Sequence, residues 1–258
     1  MNILLKTCML GLAMLPVSVF SQSAWENFDG HLGALSRENL DMPREPAPFD
    51  VTGTWGINMG TWPFTPPETL KSQYQEQVEK ANEARAQGLV YNNDVGLCWP
   101  PGMPMMMNRV WPINMIQLPT AIVIISNFMN QVRMVYMDGR EHTDPDIFVP
   151  SYNGESIGWW EDNTLVIDTR HFESDHHWIT NGVPATESLR MVERITLSDD
   201  GNELSIEYQL TDPNVWEGEW VSTKTYRREE RVDFLEVHCL PDLNEGIQAT
   251  DEKYRVTD

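Results

Sequence analysis

The densest group of residues able to do chemistry is the run Asp168-Thr-Arg-His-Phe-Glu-Ser-Asp-His-His-Trp178, which holds three imidazoles and three carboxylates. Such ligands suit zinc, iron, manganese or copper. Adjacent histidines rarely bind one metal together, so we favour a solvated polar loop and predict no metal. His171, His176 and His177 are kept as secondary metal candidates. The chain carries no phosphate loop, dinucleotide fingerprint or haem motif, so no organic cofactor is predicted either.

A second group surrounds His142, in the segment Asp138-Gly-Arg-Glu-His. A histidine whose pKa is tuned by a neighbouring carboxylate can act as a general base, and Arg140 could stabilise an anion. The same segment also has the composition of an ordinary turn, because Asp-Gly readily supplies a positive φ. Arg140 would then fix a loop by pairing with Glu155 or Glu161.

The third group combines aromatic rings with a possible buried ion pair. Trp159 and Trp160 are adjacent on a predicted strand and therefore point to opposite faces, so one of them would offer a flat apolar surface to a ligand. Arg133 and Glu193 could supply polarity beside it, and Tyr152 is a further candidate for ligand binding. Glu193 is also a candidate acid or base. A structural Glu–Arg pair is the preferred alternative to catalysis here.

Short runs of apolar and β-branched residues alternate with turn residues along the rest of the chain. The spacing predicts an antiparallel meander closed into a β-barrel. Gly53-Thr54-Trp55 matches the short Gly-x-Trp at the start of lipocalin barrels, which favours a lipocalin-like form. The predicted strands are Val51–Met59, Asn114–Leu118, Ala121–Phe128, Gln131–Met137, Ser156–Trp160, Leu165–Asp168, Leu189–Leu197, Glu203–Leu210, Val221–Arg227 and Asp233–Cys239.

One external α-helix is predicted over residues 66–87. Thr65-Pro-Pro-Glu68 has the composition of a capping box, and Gly88 is a suitable end. Leu70, Tyr74 and Val78 recur at helical spacing and give one narrow apolar stripe.

The two ends of the chain predict export. Residues 1–21 carry one charge, Lys6, followed by an apolar run too short to span a bilayer, and small residues precede Gln22. This pattern is typical of a signal peptide, so we expect a periplasmic or secreted protein without a membrane span. Residues 22–50 are expected to form an irregular arm, 51–240 the barrel domain and 241–258 an acidic tail.

Charge and cysteine content narrow the possible partners. The formal net charge is −21, which opposes binding to nucleic acid or to an anionic membrane. Removing the signal peptide leaves two cysteines, Cys98 and Cys239, and an oxidising compartment favours a disulfide between them. Two free buried thiols are the alternative.

Several blocks of sequence together resemble a family of exported bacterial proteins without an assigned activity. The blocks are Cys98-x-Pro-Pro-Gly-Met-Pro, Asp138-Gly-Arg-x-His142, Tyr152-x-Gly-x-Ser-Ile-Gly-x-Trp-Glu161, Thr164-Leu-Val-x-Asp-Thr169 and Leu189-Arg-x-Val-Glu-Arg194. The resemblance implies a secreted, lipocalin-like β-barrel and no particular substrate. The chain departs from the family pattern at Pro184-Ala-Thr186, where a Pro-His-Ser-like element is usual, and at His171, where the family commonly has Gly.

Three classes of function remain open on this basis. The favoured one is a barrel whose lumen binds a small apolar or aromatic molecule, because barrels of this size leave room for a ligand. The alternative is a cofactor-independent lyase, isomerase or hydrolase acting on such a ligand, with His142 or Glu193 as acid or base. The third is an interaction module that uses the helix and the acidic surface.

Overall fold

A computed structural model describes residues 32–89, 91 and 94–240. The predicted signal peptide (1–21), the first part of the predicted arm (22–31) and the predicted tail (241–258) lie outside the described residues. Within the part that is described, no helix combines the length and the apolar character needed to cross a bilayer.

Nine strands form a closed barrel, which confirms the predicted all-β fold. They follow one another around the barrel in chain order, except that β7 and β8 leave it as a separate two-stranded sheet. The strands are β1 Gly53–Ile57, β2 Ile113–Gln117, β3 Ala121–Ser126, β4 Gln131–Tyr136, β5 Glu155–Glu161, β6 Thr164–Arg170, β7 Trp178–Thr180, β8 Val183–Pro184, β9 Arg190–Leu197, β10 Glu203–Thr211 and β11 Trp220–Arg228.

The barrel forms because residues of alternate polarity place every second side chain inside it. In β10, Leu204, Ile206, Tyr208 and Leu210 are buried while their neighbours are partly exposed. Trp55 of the Gly-x-Trp start is fully buried, and the guanidinium carbon of Arg228 lies 4.2 Å from its ring centroid. The hydrophobic core is therefore the interior of the barrel.

One strand pair departs from the predicted antiparallel meander. β4 and β5 run parallel, with Val135 opposite Ser156 and Tyr136 opposite Ile157. A parallel pair cannot be joined by a hairpin. The connection 137–154 therefore returns along the outside of the barrel to the end at which β4 began, and it carries Asp138, Arg140 and His142 with it.

The external helix begins later than predicted. Helix α2 spans Ser72–Ala86 rather than 66–87, and its N-cap, Lys71, makes no side-chain capping bond. The preceding residues are instead held by the loop before β11, since Lys71 N–H donates to Val215 O at 3.0 Å and Leu70 forms a β-bridge with Trp216. These contacts hold Leu70 and Lys71 outside the helix, which overrides the local capping signal.

Two further expectations need correction. The arm is not wholly irregular, because a short helix α1 spans Arg37–Asp41 with Ser36 as its N-cap. The predicted strand Asp233–Cys239 is absent: these residues make no ladder, and the side chain of Asn130 bonds both backbone groups of Val237 instead.

The predicted disulfide between Cys98 and Cys239 is present in the structure. It joins the segment after the barrel to the loop between α2 and β2, across a sequence separation of 141 residues.

Candidate functional site

The lumen holds a buried ion pair between Arg133 of β4 and Glu193 of β9. Arg133 is 1% exposed and Glu193 is fully buried. Arg133 Nη1 donates to Glu193 Oε1 at 3.1 Å, and Nη2 donates to Oε2. Its Nε also donates to Ser156 Oγ at 3.0 Å, and Nη2 to Thr169 Oγ1 at 2.8 Å. All three guanidinium nitrogens of Arg133 are therefore hydrogen-bonded. This arrangement fits a structural Glu–Arg pair, which was the interpretation of the sequence preferred over catalysis.

A methionine-rich loop, residues 102–108, enters the lumen above this pair. Met103, Met106 and Met107 are fully buried. The sulfur of Met107 lies 3.6 Å from Arg133 Nη1, and the backbone carbonyl of Met107 accepts a hydrogen bond from Tyr226 Oη at 3.3 Å. Burial raises the pKa of Tyr226, which keeps its hydroxyl a donor. Methionine suits this filling role because its side chain is flexible and polarisable.

His177 and Tyr152 anchor the base of the methionine loop. His177 Nε2 lies 2.8 Å from Met103 O, and Nδ1 lies 2.8 Å from Glu173 O. Met103 N–H donates to Tyr152 O at 2.9 Å. Burial lowers the pKa of His177, although the two carbonyl oxygens favour the protonated ring. Both ring nitrogens face carbonyl oxygens, which makes His177 a structural residue in this arrangement.

On the outer face of the barrel, two histidines lie beside one carboxylate: His142 comes from the connection 137–154, and His171 follows β6. Glu155 points outward from β5, and its Oε2 lies 2.9 Å from His142 Nδ1 and 3.8 Å from His171 Nε2. Thr143 holds the same carboxylate through its N–H at 2.9 Å and its hydroxyl at 2.6 Å. His171 Nε2 also lies 3.1 Å from Thr143 O.

His142 is placed between two carboxylates. Its Nε2 is 3.4 Å from Asp168 Oδ2, too poorly aligned for a full hydrogen bond, and this buried nitrogen has no hydrogen-bond partner among the described residues. Desolvation opposes the protonated ring, but Asp168 and Glu155 outweigh it and raise the pKa of His142. Asp168 is also bonded by Arg190 at 2.8 Å and Arg170 at 2.7 Å. These partners outweigh desolvation and hold its pKa well below the usual range.

The other predicted site residues lie apart from this cluster. His176 stacks on Trp99 with ring centroids 4.0 Å apart, and its Nδ1 is 3.2 Å from Asp94. Arg140 pairs with Asp138 at 2.6 Å and lies over the ring of Tyr136. It therefore fixes a turn, although its partner is neither Glu155 nor Glu161.

A cleft of about 820 Å³ opens between the arm and one end of the barrel. Trp160 points inward from β5 and meets Phe49 of the arm edge to face, with ring centroids 4.8 Å apart, while Trp159 is 40% exposed. The apolar lining residues include Leu40, Met42, Phe49, Leu118, Met137, Trp159 and Trp160. The polar lining residues include Arg44, Glu45, Asp50, Gln117 and Asp138.

The predicted site residues therefore do not come together in one place. Arg133 and Glu193 lie in the lumen, His142 lies on the outer face, and Trp159 and Trp160 line the cleft. The contribution of the arm was not predicted from the sequence, because Phe49 and Met42 stand in a proline-rich stretch without periodicity. Glu155 was predicted only as a possible partner of Arg140.

No protein-family model matches the chain, and no curated protein matches it. Solved structures do match. One of them is human cRBP IV, which is 13% identical, with a TM-score of 0.31, over 70% of this chain and 99% of that one. A likeness this weak carries no argument about the chain. The barrel described above rests on the strand pairing of the chain itself.

Proposed function

We propose that the protein binds a small apolar or aromatic molecule in the cleft between its arm and its barrel. The observation that carries the proposal is the cleft itself, which has the volume of a small-molecule site and is lined by two tryptophans, a phenylalanine and several aliphatic side chains. The lumen suits a ligand less well, because the Arg133–Glu193 pair and the methionine loop contact each other within it.

The charges around the cleft narrow the class of ligand. Glu45, Asp50 and Asp138 line it together with one guanidinium, that of Arg44. An anionic ligand would meet an excess of carboxylates, whereas a cation can lie over an exposed indole ring. We therefore expect a neutral or cationic aromatic molecule.

Trp159 provides a direct test, with Trp111 as its control. The two side chains are exposed to nearly the same extent, 40% and 37%, but only Trp159 lines the cleft. The probe is the neutral dye N-phenyl-1-naphthylamine, whose fluorescence rises when it enters an apolar site. Loss of one stacking partner, worth roughly 1–1.5 kcal/mol, should weaken dye binding about tenfold in Trp159→Ala. Trp111→Ala should bind as the wild type does.

Two outcomes would contradict the proposal that the ligand binds in the cleft. One is equal affinity of the dye for Trp159→Ala and the wild type. The other is loss of dye binding in the double variant Arg133→Met/Glu193→Leu while Trp159→Ala is unaffected, which would place the ligand in the lumen.

An enzyme is the second candidate, and the environment of His142 favours it over Glu193 as the acid or base. A raised pKa and two adjacent carboxylates suit proton transfer near neutral pH. Glu193 instead has both carboxylate oxygens bonded by Arg133. Turnover lost in His142→Gln with dye binding retained would support catalysis, and unchanged turnover would exclude His142.

We also propose that the protein works outside the cytoplasm and belongs to the exported family that its motifs resemble. The disulfide supports an oxidising compartment. Protein taken from cells under thiol-blocking conditions should contain Cys98 and Cys239 in oxidised form. Two free thiols in that sample would argue against export.

A further inference from the structure

We propose that His142, Glu155 and His171 form a binding site for a divalent transition-metal ion of the zinc class. Each residue offers one ligand atom, and these atoms all lie within 4.8 Å of one another. Ligands held about 2.0–2.2 Å from a zinc ion lie roughly 3–3.5 Å apart. His142 Nδ1 and Glu155 Oε2 lie 2.9 Å apart, slightly closer than this spacing, and His171 Nε2, 3.8 Å from Glu155 Oε2, must move closer to it by roughly 0.3–0.8 Å.

The donor set selects the class of ion. Two imidazoles and one carboxylate suit zinc and its neighbours in the first transition row, whereas calcium and magnesium prefer oxygen ligands alone. His171 can bind in this way once its ring proton lies on Nδ1, because Nε2 then presents a lone pair in place of its contact with Thr143 O. Three protein ligands leave at least one coordination position for water.

The residues that contact the three proposed metal-binding side chains are arranged as such residues are around metal ions in other proteins. A histidine bound to a metal usually directs its other ring nitrogen at a carboxylate or a carbonyl. His142 does so, since its Nε2 faces Asp168 while its Nδ1 faces the site. This nitrogen is buried and, within the part of the chain that the structure describes, has no hydrogen-bond partner, so a small rotation of the ring can complete its bond to Asp168. Thr143 fixes the orientation of the Glu155 carboxylate through two bonds.

His171 is held beside Glu155 by its backbone and its neighbours. Its φ is +61°, a conformation uncommon for residues other than glycine. The residue is only partly exposed, with 15% of the side chain accessible, and its ring packs near Phe148 with centroids 4.9 Å apart.

The test titrates untagged full-length protein, stripped with a chelator, with Zn²⁺ in competition with a chromophoric chelator. Co²⁺ provides an absorption spectrum that reports the ligand geometry. His171→Asn removes one ligand and keeps a residue that tolerates positive φ. His176→Asn is the matched control, because His176 also has a positive φ, +57°, and lies beside a carboxylate, Asp94, outside the site.

We expect one equivalent of Zn²⁺ in the wild type and in His176→Asn. Zn²⁺ binding should weaken at least roughly 100-fold in His171→Asn and in His142→Gln. Substitution of a residue that only contacts a metal ligand already weakens metal binding about 10- to 100-fold. Bound Co²⁺ should lose its visible absorption bands in the same two variants. Wild-type protein that binds no Zn²⁺, or equal binding by His171→Asn and His176→Asn, would overturn the proposal. Neither outcome bears on small-molecule binding in the cleft, because none of the three metal-binding residues lines the cleft.

Discussion

The ion pair in the lumen allows a quantitative test of how the barrel is filled. Removing one member of a buried pair leaves the other charge unpaired and costs about 3–5 kcal/mol, a large share of the roughly 5–15 kcal/mol that stabilises a domain. Arg133→Met and Glu193→Leu should each lose that amount, because both side chains are at most 1% exposed. The double variant should regain most of it. Ser156 and Thr169 stay bonded to each other there, with their hydroxyl oxygens 3.0 Å apart.

Urea unfolding followed by tryptophan fluorescence measures these free energies, and a double-mutant cycle gives the coupling between the two residues. Arg194→Met is the matched control, because Arg194 follows Glu193 on β9 but points outward and pairs with the exposed Glu161 at 2.9 Å. That variant should lose at most about 1 kcal/mol. If the lumen variants lose as little as the control does, water hydrates the pair and the lumen is open.

Two further predictions concern Lys224 and the disulfide. Burial beside Phe64 lowers the pKa of Lys224 from 10.5 to about 8, so between these values the unfolded chain binds more protons and stability rises with pH. The stability advantage of Lys224→Met over the wild type should therefore shrink by about 2 kcal/mol between pH 7 and pH 9.5 in urea unfolding, and a constant difference would contradict the shift. Replacing Cys98 and Cys239 by serine should lower the free energy of unfolding by up to about 5 kcal/mol, because the disulfide closes a loop across a 141-residue separation. An unchanged free energy of unfolding would show that the unfolded chain gains no conformational entropy when the disulfide is removed.

The sequence predicted those parts of the fold that local patterns determine. The alternation of polar and apolar residues in β9 and β10 is a local signal, and both strands are found where expected. The β4–β5 pairing depends on where the connection 137–154 runs, which no local pattern encodes. The start of α2 was misjudged for the same reason, since Lys71 is held by Val215, distant in the sequence.

The sequence predicted individual site residues but not which of them lie together in the fold. Strand alternation could place Arg133 and Glu193 inside a barrel, yet their pairing depends on the barrel closing around them. His142 was recognised from its neighbours in the chain, whereas the partners that tune it, Glu155 and Asp168, come from β5 and β6. Phe49 gave no signal at all, because an aromatic residue among prolines is as typical of a linker as of a binding surface.

The parallel pairing of β4 and β5 connects the architecture to both proposed sites. Because the chain must return along the barrel between these strands, the connection 137–154 covers the outward side chains of β5 and β6. It thereby sets His142 and Thr143 against Glu155. At the start of the same connection, Asp138 accepts a hydrogen bond from Asn39 of the arm at 3.0 Å, which holds the arm where it lines the cleft. Arg133 and Glu193 are bonded to each other within the lumen, whereas both proposed sites take residues from this connection.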